Sequence, residues 1–191
     1  MHALQGLTPE ALVARFPELT LAEARKVMST VIRRGGAALA RPVEQVWRAA
    51  LEALRARGHV PSLSLLAEQA SAVDPFVKYL LETGDGERVE AVRIPLERAG
   101  RFSVCVSSQA GCALACAFCA TGRLGLRRNL EVWEIIEQIR VVRDRLPPGG
   151  RVHGVVFQGM GEPLSNVERV LEAIRVLTEP SGLAIDARAV T

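Results

Sequence analysis

Arg101-Phe-Ser-Val-Cys105-Val-Ser-Ser-Gln109-Ala-Gly-Cys112-Ala-Leu-Ala-Cys116-Ala-Phe-Cys119-Ala-Thr-Gly122 is a strand-like run that passes directly into a loop holding three of the chain's four cysteines. The C-x3-C-x2-C spacing lets one short loop direct Cys112, Cys116 and Cys119 at a single centre. Thiolates are soft ligands that suit iron–sulfur clusters, zinc or copper(I). A disulfide would leave one of the three thiols over, and cysteines this close would be strained as a pair. Zinc needs a fourth ligand, and His153 is the only histidine downstream. A four-iron cluster ordinarily takes four cysteines, and no fourth lies in a ferredoxin-like run here. Three ligands from one loop would leave one iron open to a non-protein ligand, so the spacing points first to an iron–sulfur cluster.

The pattern on either side of this loop sets the fold class. Leu130 to Leu146 is an amphipathic helix closed by Pro147-Pro148-Gly149-Gly150, and Val152 to Phe157 is a near-continuously apolar strand. Asn166 to Leu177 reads as a further helix and Ala184 to Val190 as a further strand. Strand and helix alternating from residue 101 imply parallel βαβ units with right-handed crossovers. Loops that bear ligands sit at the carboxyl ends of such strands. The cysteine loop and Gly159-Met160-Gly161-Glu162-Pro163 therefore fall on one rim. Upstream, Phe76 to Leu81 and Glu87 to Ile94 are strands joined by Gly84-Asp85-Gly86, a hairpin signal. The first 70 residues read as helices. Thr8-Pro9 opens one to about Phe16, a Thr20/Glu23 capping box opens one to about Arg34, and Pro42 to Arg57 carries apolar residues at helical spacing. The expected architecture is α/β, with a helical accessory domain over 1–72, a β-hairpin linker over 73–100 and part of a (β/α) barrel over 101–191.

Hydrophobic residues make up 49% of the chain, ample for a core, whereas aromatics are only 4%, so Leu, Val, Ala and Ile must fill it. The net charge of +3 is compatible with a nucleic-acid partner without arguing for one. Lys26 and Lys78 are the only lysines, and Arg33, Arg34, Arg48, Arg55 and Arg57 lie on the helical segment, as an RNA-facing patch or simply a solvated face. No apolar run is long enough to span a membrane, and clustered free thiols without a secretory signal point to a reducing, cytoplasmic setting.

Val104 to Cys112, Cys116 to Gly122, Arg128-Asn129-Leu130, Glu134-Ile135, and Gly159 to Pro163 with Asn166 resemble the RlmN/Cfr family of radical S-adenosylmethionine RNA methyltransferases. The resemblance is specific from about Arg88 onward and weaker across the helical segment. It implies a radical S-adenosylmethionine barrel with a [4Fe-4S] cluster on Cys112, Cys116 and Cys119, and S-adenosylmethionine contacts at Gly161 and Glu162. It also implies Cys105 as a resolving thiol that releases a protein–RNA crosslink through a disulfide, and Glu90 as the acceptor of the ring proton. The implied activity is methylation of adenine carbon 2 in 23S ribosomal RNA, and in certain transfer RNAs, by way of a methylated cysteine. An electron donor such as flavodoxin and a monomeric state go with it.

Other readings stand beside this one: a carbon 8 specificity of the Cfr type, a different radical S-adenosylmethionine enzyme, or a non-catalytic cluster- or RNA-binding relative. All four cysteines already have roles, so none is left to carry the methyl group. The expectation is an N-terminal half of such an enzyme, inactive by itself.

Overall fold

The computed structural model describes residues 1–191. In chain order its elements are β1 (His2–Ala3), α1 (Pro9–Arg15), α2 (Leu21–Arg34), α3 (Arg48–Arg57), β2 (Gly58–His59), β3 (Ser64–Ala70), β4 (Val77–Glu82), β5 (Arg88–Pro95), β6 (Arg101–Cys105), β7 (Gln109–Gly111), β8 (Leu126–Asn129), α4 (Val132–Arg143), β9 (Arg151–Val156) and α5 (Val167–Thr178). Five strands form one mixed sheet in the order β3-β4-β5-β6-β9. The pairs from β3 through β6 are antiparallel, and β6 pairs with β9 in parallel, with α4 in the crossover between them. The alternating α/β pattern from residue 101 is thus present, with the upstream hairpin joined edge to edge to its first strand. The cysteine loop leaves the end of β6 and returns through a separate ribbon in which β7 pairs with β8.

Local chemistry explains most of the element boundaries. Thr8 caps α1 by accepting the Ala11 amide, with Pro9 at the first helical position. Thr20 and Glu23 form the reciprocal capping box of α2. That helix stops at Gly35, which adopts φ 55°, with the Arg140 guanidinium packed where a side chain would be.

Three expectations need correction. The helix expected from Pro42 begins only at Arg48. Gln45 turns left-handed at φ 58°, and the carboxylate of Glu23 captures the Trp47 amide at 2.7 Å, so the segment before Arg48 bends against α2. Residues 64–70, expected to be helical, form β3, because register against β4 outweighs the helix-forming tendency of Leu65, Leu66, Ala67 and Glu68. The strand expected over Ala184–Val190 is reduced to one parallel bridge, Val190 to Val155. Ala184 at φ 52° and the Asp186 side chain, which accepts the Arg188 amide, coil the stretch before it into a 3-10 turn.

One apolar cluster runs from Leu4 to Ile185. It joins Leu12 and Val31 of the helical segment, Tyr79, Val89, Ala91 and Val104 of the sheet, and Leu177 of α5. At its centre lies α4, whose Ile135, Ile136, Ile139 and Val142 are all fully buried. A helix apolar on this many sides is one surrounded by protein, and α4 is enclosed by the sheet, α5 and the N-terminal turn Leu4–Gly6. Ile135→Ala is expected to destabilise the fold by about 2–5 kcal/mol in urea unfolding, the range for truncating a buried aliphatic side chain. A loss under about 1 kcal/mol would contradict this position at the core centre.

Candidate functional site

Beyond β6 the chain does something costly: Val106, Ser107, Ser108, Gln109 and Ala110 are all buried although they leave the main sheet. Buried backbone amides and carbonyls must find partners. Here several of them are found by side-chain amides. Gln138 of α4 accepts the Ser107 N–H at 2.8 Å and donates to the Ser107 carbonyl at 3.0 Å. Asn166 donates to the carbonyls of Ser108 (2.8 Å) and Leu130 (3.0 Å). The Met160 carbonyl accepts the Ser108 and Gln109 amides. The Ser107 hydroxyl donates to the Glu90 carbonyl at 2.7 Å and accepts the Met160 amide at 2.9 Å.

The Gly159–Pro163 turn is thereby drawn onto the stem of the cysteine loop, on one rim as the strand order requires. Gln109 accepts the Glu162 amide at 2.8 Å and donates to Asn129, which in turn donates to the Ser165 carbonyl. The approach is close enough to demand glycine twice. A Cβ on Gly159 would lie 2.6 Å from the Val106 carbonyl oxygen. One on Gly161, at φ 97°, would lie 2.5 Å from the Gln109 Cβ. The Glu162 carboxylate accepts the Leu164 amide at 2.9 Å and caps the turn that follows.

All four cysteines are free thiols. Cys112 is buried where its amide bonds the Gly125 carbonyl, while Cys116 and Cys119, half-buried, are joined by a tight turn (Cys119 N–H to Cys116 carbonyl, 3.0 Å). The loop does not gather them around one centre, and no three His, Cys, Asp or Glu side chains converge in metal-binding geometry. The donor chemistry nonetheless fits a soft metal cluster: three thiols within eight residues, one of them with a lowered pKa. The backbone amides of Gly122 and Thr121 hold the Cys119 pKa below its ordinary value. Phe118 and Leu114 stand almost free in solvent at the loop tip, at 91% and 56% exposure.

Cys105 and Glu90 share a face of the sheet. Directly paired residues point to the same side and alternate residues along a strand return to it. Cys105 pairs with Val92 and Val156, and Val92 pairs with Lys78, so these and Glu90 lie opposite the buried face of Tyr79, Ala91 and Val104. The Lys78 ammonium meets the Glu90 carboxylate at 3.1 Å. Burial pushes the Cys105 thiol pKa up, partly offset by a backbone hydrogen bond at Gln158. Below this face, Arg128 of β8 grips Glu134, which is 2% exposed, and Asp85 of the hairpin tip, each through two hydrogen bonds. The guanidinium, helped by the Thr83 hydroxyl, holds the Asp85 carboxyl well below the usual carboxylate range.

Several of these residues had no role in the sequence reading. Gln138 was passed over, Lys78 was noted only as one of two lysines, and Ser107, Gln109, Asn129 and Asn166 appeared only as motif letters. The available signal was the polar run Ser107-Ser108-Gln109 at the end of an apolar strand, which a buried location turns into a demand for partners. Of the five arginines singled out upstream, Arg48 and Arg57 pair with Glu52 and Glu18, and Arg55 bonds the Leu39 carbonyl. Arg33 and Arg34 instead line an open groove with Lys26 and Arg41.

The two environments predict opposite thiol reactivities. At neutral pH the metal-free chain should be alkylated by iodoacetamide at Cys119 well before Cys105, because a lowered pKa raises the thiolate fraction and a raised one reduces it. Peptide mass spectrometry across pH 6–9 reads this order, and prior modification of Cys105 would contradict it.

No family model matches the chain. It is 58% identical over 177 residues to a probable RNA methyltransferase of Sorangium cellulosum, covering 91% of this chain and 45% of that protein. It is 48% identical over 130 residues to the dual-specificity RNA methyltransferase RlmN of Syntrophobacter fumaroxidans, covering 68% of this chain and 37% of that one. A crystal structure of a radical SAM methyltransferase from Sphaerobacter thermophilus superposes with a TM-score of 0.82 at 31% identity, covering 100% of this chain and 56% of the other. The chain spans about half the length of the relatives it matches. Over the part of those relatives that it spans, the chain is RlmN-like and shares the fold of a solved radical SAM methyltransferase at 31% identity.

Proposed function

We propose that this chain supplies the cluster loop, the cofactor turn and two catalytic side chains of an RNA methyltransferase that acts on carbon 2 of adenine, in 23S ribosomal RNA and in transfer RNA. The observation that carries the reading is the common placement of Cys105 and Glu90 on one sheet face beside a cysteine loop pinned to the Gly159–Pro163 turn. An aromatic ring carbon is not nucleophilic enough for direct methyl transfer. A [4Fe-4S] cluster with S-adenosylmethionine supplies the one-electron chemistry this carbon requires. In this reading Cys112, Cys116 and Cys119 hold the cluster, and the Gly161 backbone, with Glu162 beside it, contacts the cofactor.

The chain's own groups then serve the substrate. Glu90, oriented by Lys78, accepts the proton leaving the ring carbon. Cys105, on the same face, gives up its thiol proton and attacks the sulfur through which enzyme and RNA are joined. The sulfur–carbon bond breaks with its electron pair passing to the RNA-borne carbon, which takes up a proton as the new methyl group, and the two cysteines are left as a disulfide. Burial raises the Cys105 pKa and so disfavours the thiolate. The groove lined by Lys26, Arg33, Arg34 and Arg41, with Glu44 its one acidic residue, is a site for RNA phosphates. A flavodoxin-type electron donor, a monomeric state and a cytoplasmic location belong to the same proposal. No helix is long and apolar enough to cross a membrane.

Anaerobic reconstitution with iron and sulfide should load about four irons and four sulfides per chain in the wild type, and a Cys112/Cys116/Cys119 triple alanine variant should lose them. Stoichiometric zinc without sulfide, or full loading of that variant, would sink the cluster reading. In a chain completed to the length of its relatives, Cys105→Ala and Glu90→Gln should trap a covalent RNA adduct on denaturing gels, and the triple variant should form none. Nucleoside mass spectrometry then separates 2-methyladenine from 8-methyladenine. Normal turnover by Cys105→Ala would return this thiol to a packing role.

A further inference from the structure

We propose that Gln109 is a positioning residue that holds the Gly159–Pro163 turn in the form able to receive its cofactor. This rests on the proposed reading of that turn as the S-adenosylmethionine contact. The side chain is 1% exposed, and both ends of its amide are committed. Its oxygen accepts the Glu162 amide at 2.8 Å, and its nitrogen donates to the Asn129 side-chain oxygen Oδ1 at 2.7 Å. Asn129 continues to the Ser165 carbonyl at 3.2 Å, so one relay spans the turn from both sides. Gln109 and Asn129 also face each other as a register pair in the β7–β8 ribbon, which brings the cysteine loop back toward the core. The same side chain therefore sets the distance from the loop to the turn.

The backbone of the turn is shaped around it. Gly161 sits at φ 97° with the Cβ, Cγ and backbone nitrogen of Gln109 all within 2.8 Å of where its own Cβ would be. The Gly161 backbone thus lies against the Gln109 side chain, and the next amide along, that of Glu162, is aimed into it. Without an acceptor at position 109 this part-buried amide loses its partner, and the turn must open to hydrate it. A carboxamide is the fitting group because the position needs an acceptor toward Glu162 and a donor toward Asn129 at once. Nothing in the arrangement places Gln109 on substrate; it acts through the turn.

Two substitutions of nearly equal volume separate the hydrogen bond from packing. Gln109→Met removes both acceptor and donor, whereas Gln109→Glu keeps the acceptor toward the Glu162 amide and loses only the donor toward Asn129. Hydrogen exchange on wild type and variants, followed at the Glu162 amide, should accelerate at least about tenfold in Gln109→Met, the factor matching loss of one buried hydrogen bond, and stay near wild type in Gln109→Glu. Amides of β6 should be unchanged in both. On the reconstituted chain, iron content should also be unchanged, while the S-adenosylmethionine concentration that perturbs the reduced cluster's EPR signal should rise about tenfold for Gln109→Met only. Unchanged Glu162 exchange in Gln109→Met overturns the positioning role, as does acceleration spread over β6 in both variants, which would mark a merely structural residue. Faster Glu162 exchange with unaltered cofactor response overturns instead the assignment of the turn to the cofactor.

Discussion

The site depends on a constraint of burial: the chain leaves β6 without leaving the protein interior. From Val106 to Ala110 it has no neighbouring main-sheet strand on both sides, yet it is closed off from water. Its peptide groups must be satisfied by whatever is packed around them. Gln138 from the crossover helix, Asn166 from the turn before α5 and the backbone of Met160 provide that satisfaction. Each of these partners belongs to an element that the βαβ topology returns to the same rim. The hydrogen bonds therefore convert a topological neighbourhood into fixed geometry, and both candidate ligand loops inherit their positions from it.

Much of the scaffold was legible because its signals are local. Thr20 and Glu23 close a reciprocal pair within one turn, Gly84-Asp85-Gly86 has no rival to a hairpin turn, and the apolar run at Val152–Val156 matches a strand flanked on both faces. The failures came where distant residues decide. Leu65 to Glu68 favours a helix until β4 offers it a ladder, and Pro42 to Val46 has helical spacing until Glu23, far away in sequence, takes the Trp47 amide. The candidate site shows the same division. Cysteine spacing names three ligands, and motif position names Glu90 and Cys105. That Glu90 shares a face with Cys105, and that Lys78 sits on its carboxylate, requires the β4-β5-β6 register. Spacing also promised a convergence of three thiols that the free loop does not display.

Charge is distributed with similar economy. Glu134 and Glu137 are buried in α4, where an unpaired carboxylate would be prohibitive, and each has an arginine: Arg128 across to β8, Arg140 one turn along. Arg128 also reaches Asp85 at the hairpin tip, so the strand that carries Glu90 is tied electrostatically to the strand that returns from the cysteine loop. Lys26, Arg33, Arg34 and Arg41 instead line one groove, with Glu44 its one acidic residue.

The mixed sheet also bears on how the protein avoids self-association. A flat, unpaired strand edge is a template for other chains. At one end of this sheet, β3 carries a register break between Leu65 and Ala67 and lines its rim with exposed Glu68 and Gln69, which disturbs the ladder and adds charge. At the other end, β9 is covered where Thr191 exchanges hydrogen bonds with Val155 and Phe157. One border is thus blunted by irregularity and charge, while the other is met at its carboxyl end by the Thr191 contacts.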